Sequence, residues 1–149
     1  MPIINSEIGD RTVIRQSDLV NIYNAKIGDD CMIAAFVEIG NATIGNNCRI
    51  QAFVFIPEGI TIGDNVFIGP GTKFMNDKYP PSTIINTVVE DNAVIGGGAV
   101  ILPGITIASG SRIGAGAVVT SDTGNENVYV GVPARERQMN ECRVYAPAF

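Results

Sequence analysis

The segment FMNDKYPP, residues 74–81, concentrates functional groups that the rest of the chain spreads thinly. Asn76 brings an amide, Asp77 a carboxylate, Lys78 an ammonium and Tyr79 a phenol, in consecutive positions. An amide can orient an amine or hold a water, but it cannot remove a proton. The Asp77 carboxylate beside it could act as a base or anchor an amine; it could equally cap a turn. The 149 residues contain no histidine. The usual zinc ligand sets therefore cannot be assembled, and no imidazole is present to activate a hydroxyl nucleophile. No metal is expected.

These groups interrupt a repeat. Aliphatic residues recur every six positions: Ile8, Ile14, Val20, then Ile27, Ile33, Ile39, then Ile44, Ile50, Ile56, Ile62, Ile68, Phe74, then Val89, Ile95, Ile101, Ile107, Ile113, Val119. All are Ile or Val except Phe74. Glycine often follows, as at Gly9, Gly28, Gly45 and Gly63, and the fifth position is small or β-branched. A period of six is not helical, and its glycines would cost a helix about 1 kcal/mol each. It is a multiple of two, so short strands fit, each followed by a turn. Glycine after the inward aliphatic suits a corner where the chain bends hard. Three such sides close a triangular coil of about 18 residues, and stacked coils are expected to bury one aliphatic column per corner.

The spacing departs from six in three places: seven from Val20 to Ile27, five from Ile39 to Ile44 and fifteen from Phe74 to Val89. With three hexads per coil, all three fall at one corner. A solenoid tolerates an insertion that leaves its stack intact, and such loops often mark a binding face. The expected organisation is a single all-β domain over 1–149. About six parallel coils span about 8–120, one loop protrudes at about 77–86, and a tail occupies about 121–149. Cys31 and Cys48 share a hexad position and should stack as small core fillers; side chains in a parallel ladder point the same way and do not suit a disulfide. Phe36 and Phe53 should stack outward, an aromatic pair that suits a subunit interface.

Composition narrows the class. The chain is 46% hydrophobic with few aromatics, and its Ile and Val favour strands. No apolar run is long enough to span a membrane. The first residues lack a basic stretch followed by an apolar one, so no signal peptide is expected and the default location is cytoplasmic. A net charge of −5 with no basic cluster argues against nucleic acid as a partner. The three cysteines lack C-x-x-C spacing and read as free thiols.

The hexads resemble the hexapeptide-repeat family, whose fold is a left-handed parallel β-helix; the left hand is implied by that resemblance. The family hosts mostly CoA-dependent acyltransferases, with some zinc hydratases and non-enzymatic subunits. The missing histidines exclude the zinc hydratases, which resemble this scaffold but bind zinc through three His. They also argue against the O-acetyltransferases, which use a His base. A neutral amine attacks a thioester unaided, so an N-acetyltransferase needs chiefly proximity, orientation and an oxyanion donor. Residues 44–80 look like the sugar-nucleotide N-acetyltransferases that acylate 3-amino-3-deoxy hexoses for bacterial surface polysaccharides, which carry a similar Phe-x-Asn-Asp/Val-x-x-Pro segment. That resemblance places Asn76 beside the sugar amine, with Asp77 as base or anchor. Gln51, Lys78 and Tyr79 become candidates to contact sugar or phosphate, and Lys73 and Arg49 could offset the acidic surface. Some members have a longer loop than the TIINTVV return found here.

The acyl-CoA side is expected in the Gly- and Ala-rich stretch 95–119. There Gly98, Ala99, Gly116 and Ala117 would let the pantetheine arm of acetyl-CoA lie close and offer exposed amides. The segment VYVGVPAR, 128–135, resembles the family's terminal Gly-x-Pro-Ala element near the adenine and phosphates, which assigns Pro133, Ala134 and Arg135, with Arg137 as an alternative. The family also implies a homotrimer, and residues 136–149 are expected to pack on a neighbour. The leading expectation is acetyl transfer from acetyl-CoA to the amine of a nucleotide-linked amino-deoxy sugar. The alternatives are an O-acetyltransferase with a carboxylate base such as Asp77, and a non-catalytic β-helix assembly subunit.

Overall fold

An aliphatic residue at every sixth position can be buried each time only if the chain turns a corner in between. The computed structural model, which describes residues 2–138, has this arrangement. Its strands are two or three residues long and form three parallel sheets, the faces of a triangular prism. Inward residues stack in register. The first face carries Ile22, Ile39, Ile56, Phe74, Ile101 and Val119. The second carries Ile27, Ile44, Ile62, Val89 and Ile107, and the third Ile33, Ile50, Ile68, Ile95 and Ile113. All are buried, and Phe74 fills the core at the level where the loop departs.

The stack is longer than the hexads indicate, about seven coils rather than about six. Ile3 pairs with Ile22 and starts the first face before residue 8. At the other end the coils do not stop near 120: Thr123 bonds to the Thr106 carbonyl and Tyr129 stacks on Ile113. Arg135–Arg137 then folds back antiparallel on Val128–Val130 and closes the third sheet. Cys142, and the expected tail beyond 138, lie outside the described residues.

Val20 is a correction. It does not head a side but fills a corner, in one column with Val37, Val54, Thr72, Ala99 and Ala117, each two residues before a first-face strand residue. A 3-10 turn at Ser17–Leu19 lengthens the preceding side, and Ile22 takes the inward place. The five-residue spacing then recurs at one corner, from Ile22 to Ile27 and from Ile39 to Ile44, and the loop leaves from the same corner.

The glycines after the inward residues do not serve a hard bend. A Cβ on Gly45 would lie 2.3 Å from Asp64 Oδ1, and one on Gly28 would lie 2.3 Å from Asn46 Oδ1. The coil above needs that space for a ladder in which each side-chain oxygen accepts from the backbone below. Asp10 N donates to Asp29 Oδ1, Asp29 N to Asn46 Oδ1, Asn46 N to Asp64 Oδ1 and Asp64 N to Asp91 Oδ1, all within 2.8 Å. Cys31 and Cys48 stack as expected, both buried and free, with Cys48 N donating to Cys31 Sγ at 3.4 Å.

Candidate active site

The corner between the first and second faces carries one polar column. Two residues after each inward residue of the first face stand Asn5, Asn24, Asn41, Glu58 and Asn76. The asparagines at 5, 24 and 41 have φ near +50°, a left-handed conformation that asparagine tolerates and the short corner requires. Asn5 donates to Asn24 Oδ1 at 2.8 Å, and Asn41 Nδ2 donates to Glu58 Oε1 at 2.8 Å. Asn76 Nδ2 donates to the Glu58 backbone carbonyl at 3.0 Å. With its nitrogen engaged, Asn76 has its Oδ1 available as an acceptor.

The loop begins here. Asn76 O accepts from Ile85 N at 2.8 Å, and Asp77 bridges Ile84 antiparallel, so the loop leaves and returns at one point. Both oxygens of Asp77 are used inside it. Ser82 donates from its hydroxyl at 2.6 Å and its backbone N at 2.7 Å, and Tyr79 N donates at 3.1 Å. The two Ser82 bonds and then the Tyr79 bond hold this carboxyl below the usual carboxylate range. In this geometry Asp77 caps the turn, and a carboxylate stabilised by three donors is a weakened proton acceptor.

The other expected acceptor residues do not converge. Lys78 and Tyr79 project from the loop, both exposed, with the ammonium 5.6 Å from the ring centroid. Gln51 follows Ile50 on the third face, so one chain sets it on a different corner from Asn76. Lys73 bonds the Gly71 carbonyl at 3.0 Å, and Arg49 lies exposed on the third face. Above Asn76 a recess of about 200 Å³ is lined by Met75, Asp77, Lys78, Leu102, Pro103 and Thr120. Below it on the same corner, an open polar groove of about 590 Å³ runs from Asn5 to Thr43.

The corner between the third and first faces carries a second column. Phe36, Phe53, Gly71, Gly98 and Gly116 occupy one turn position, all with φ between +62° and +75°. The phenylalanine rings stack 5.0 Å apart at 14°, and are 52% and 61% exposed. Above them the side chains stop. A Cβ on Gly116 would meet nothing within 4 Å, and those on Gly71 and Gly98 nothing nearer than 3.9 Å. The expected exposed amides are not present there. Gly98 N donates to Pro70 O, Gly116 N to Gly97 O, Ala99 N to Gly96 O and Ala117 N to Gly114 O. Ala99 and Ala117 are fully buried corner fillers. What this edge offers a ligand is bare backbone for close approach rather than free donors. Pro133 and Arg135 are exposed at the top of the stack, while Ala134 is buried and bonded to Val118 O.

Sequence reasoning missed Glu58 and Asn86 beside Asn76. A Cβ on Gly59 would lie 3.0 Å from both Asn86 Oδ1 and Ile84 Cγ2, so the returning loop packs directly next to Glu58. The register could have found Glu58, since it and Asn76 stand at equal distances from Ile56 and Phe74.

A sequence profile described as "Bacterial transferase hexapeptide (six repeats)" matches residues 41–76 and 86–121, the coils on either side of the loop. The chain is 39% identical over 75 residues to a 2,3,4,5-tetrahydropyridine-2,6-dicarboxylate N-acetyltransferase of Staphylococcus aureus, covering 50% of this chain and 31% of that protein. The chain thus spans about a third of that relative's length. Its fold is similar to that of PerB from Caulobacter crescentus, solved with CoA and GDP-perosamine (TM-score 0.69, 22% identity, 93% of this chain and 59% of that one). It is also similar to a hexapeptide-repeat acetyltransferase of Vibrio cholerae solved with acetyl-CoA (TM-score 0.60, 27% identity, 91% and 71%).

Proposed function

We propose, from the premise that this chain belongs to the bacterial hexapeptide-repeat transferases, that it moves an acetyl group from acetyl-CoA to the amine of a nucleotide-linked amino-deoxy sugar. One observation carries the choice of an amine. The break in the repeat presents an amide, Asn76, while its neighbouring carboxylate is spent on the loop and the chain has no imidazole. Neither an imidazole nor Asp77 can serve a hydroxyl acceptor as its base here, and an amine does not need one. Asn76 Oδ1 accepts an N–H and aims the nitrogen lone pair at the thioester carbonyl. The C–N bond forms and the C–S bond breaks. CoA leaves as a thiolate and takes up the proton that the nitrogen releases. The relatives above, one an N-acetyltransferase and two solved with CoA or acetyl-CoA, support this reading.

The active unit we propose is a cytoplasmic homotrimer. Gly71 and Asn76 flank the same strand, Lys73–Phe74, and so lie at one level of the solenoid on two different corners. A rotation axis parallel to the solenoid preserves level. The bare glycine edge of one copy, carrying the pantetheine arm, can then face the Asn76 corner of the next. Phe36 and Phe53 lie just below that edge. Bulky residues at positive φ are strained, and burial of the exposed pair against a neighbour would offset the strain. The test is a paired assay: CoA thiol release from acetyl-CoA with nucleotide-linked amino-deoxyhexoses and with their hydroxyl counterparts. Turnover of amines alone is expected. Turnover of hydroxyls alone would replace this reading with an O-acetyltransferase, and turnover of neither would leave an assembly subunit.

A further inference from the structure

We infer that Glu58, not Asp77, is the carboxylate that receives the acceptor's amino group, an assignment that rests on the proposed amine-acetylating function. An amino sugar arrives mostly as an ammonium, since alkyl amines are protonated at neutral pH, and an ammonium needs an anion to hold it beside the positioning amide. Two carboxylates adjoin Asn76. Asp77 has both oxygens occupied by Ser82 and Tyr79. Glu58 sits one coil below Asn76 in the same polar column, and the two are joined because Asn76 Nδ2 donates to the Glu58 carbonyl at 3.0 Å. The Glu58 side chain is held from beneath by Asn41 Nδ2, which bonds Oε1 at 2.8 Å. The residue is exposed, and its Oε2 carries no bond from a described residue. One oxygen fixed and the other open is the arrangement of a preset anchor. The Asn76 Oδ1 acceptor and the second Glu58 oxygen belong to adjacent levels of one edge, the place where the proposed amine would dock. The returning loop packs on Gly59, where Ile84 and Asn86 stand against it and wall this spot on one side.

In the reaction the ammonium docks on Glu58, loses one proton to solvent water, and the neutral amine attacks the thioester from the Asn76 acceptor. Glu58 is therefore a substrate-binding residue, and its removal should act on acceptor affinity rather than on acetyl-CoA. Glu58→Gln tests this cleanly, because the amide still accepts from Asn41 and the backbone carbonyl still accepts from Asn76. Initial rates would be measured with acetyl-CoA and a panel of UDP-, dTDP- and GDP-linked amino-deoxyhexoses, alongside calorimetric titration of acetyl-CoA. The expected result is at least a tenfold rise in acceptor KM for Glu58→Gln, an unchanged acetyl-CoA Kd, and partial recovery in Glu58→Asp. An acceptor KM within twofold of wild type overturns this assignment alone. Wild-type protein that acetylates none of the amines overturns both this assignment and the function on which it rests.

Discussion

Asn76 is held at one end and open at the other. Its nitrogen bonds the Glu58 carbonyl, and its oxygen accepts no bond from a described residue. Asn76→Ala should lower kcat/KM for an amine acceptor by about a hundredfold, the scale expected when a reacting group is misplaced by about 1 Å. Acetyl-CoA affinity, measured by calorimetry, should stay unchanged; a fully active variant would remove Asn76 from the mechanism. Asp77 makes a different prediction. Its folded-state pKa lies below the unfolded value, so its stabilisation of the loop is present above the unfolded pKa, about 4. That stabilisation is lost as pH falls through the folded pKa. Hydrogen exchange at the Ser82 amide should therefore keep its protection from pH 7 to 5 and lose it below about 4. Loss of protection between pH 7 and 5 would contradict the cap. The sequence shows which residues break the repeat but not which carboxylate is free. That distinction depends on Ser82 folding back onto Asp77 and on Asn76 reaching the coil below through a backbone oxygen. Neither bond leaves a mark in residue type.

At the scale of single turns, glycines of the same hexad family do different work. Gly45 gives room to Asp64, and Gly116, with φ +72°, sits on an open edge. Gly45→Ala forces its Cβ against a fixed carboxylate, so the cost should be about 1–3 kcal/mol, read as a lower midpoint of chemical denaturation. Gly116→Ala has space, and its cost is the left-handed backbone alone, about 1–2 kcal/mol. The two separate in binding: Gly116→Ala should weaken acetyl-CoA and Gly45→Ala should not. Equal effects on acetyl-CoA would deny the bare edge a role in binding. The inward columns were legible because a position buried on every turn must be apolar. The two ends were not. Val20 and Ile22 are both aliphatic, and only the 3-10 turn at Ser17–Leu19 decides which one faces inward. In the last coil the inward places go to Thr123 and Tyr129. Thr123 is buried at no polar cost, because Ala108 N donates to its hydroxyl oxygen and Ser111 bonds it at 2.8 Å.

For the whole molecule, the predicted functional groups lie on two corners of one prism, and a single copy cannot bring them together. The proposed pairing of the glycine edge of one copy with the Asn76 corner of another would resolve this and would make activity depend on assembly. Replacing both Phe36 and Phe53 with Asp should dissociate the proposed trimer, as followed by sedimentation, and abolish turnover while the solenoid's circular dichroism persists. A monomeric wild type would contradict the shared site. The most direct test of the central claim, that this solenoid binds an acyl donor between its copies, is calorimetric titration of acetyl-CoA. Wild type should bind about one acetyl-CoA per chain, and the dissociated Phe36→Asp, Phe53→Asp protein should bind none. Absence of saturation at millimolar acetyl-CoA in an assembled wild type would contradict the account and leave the β-helix as a scaffold.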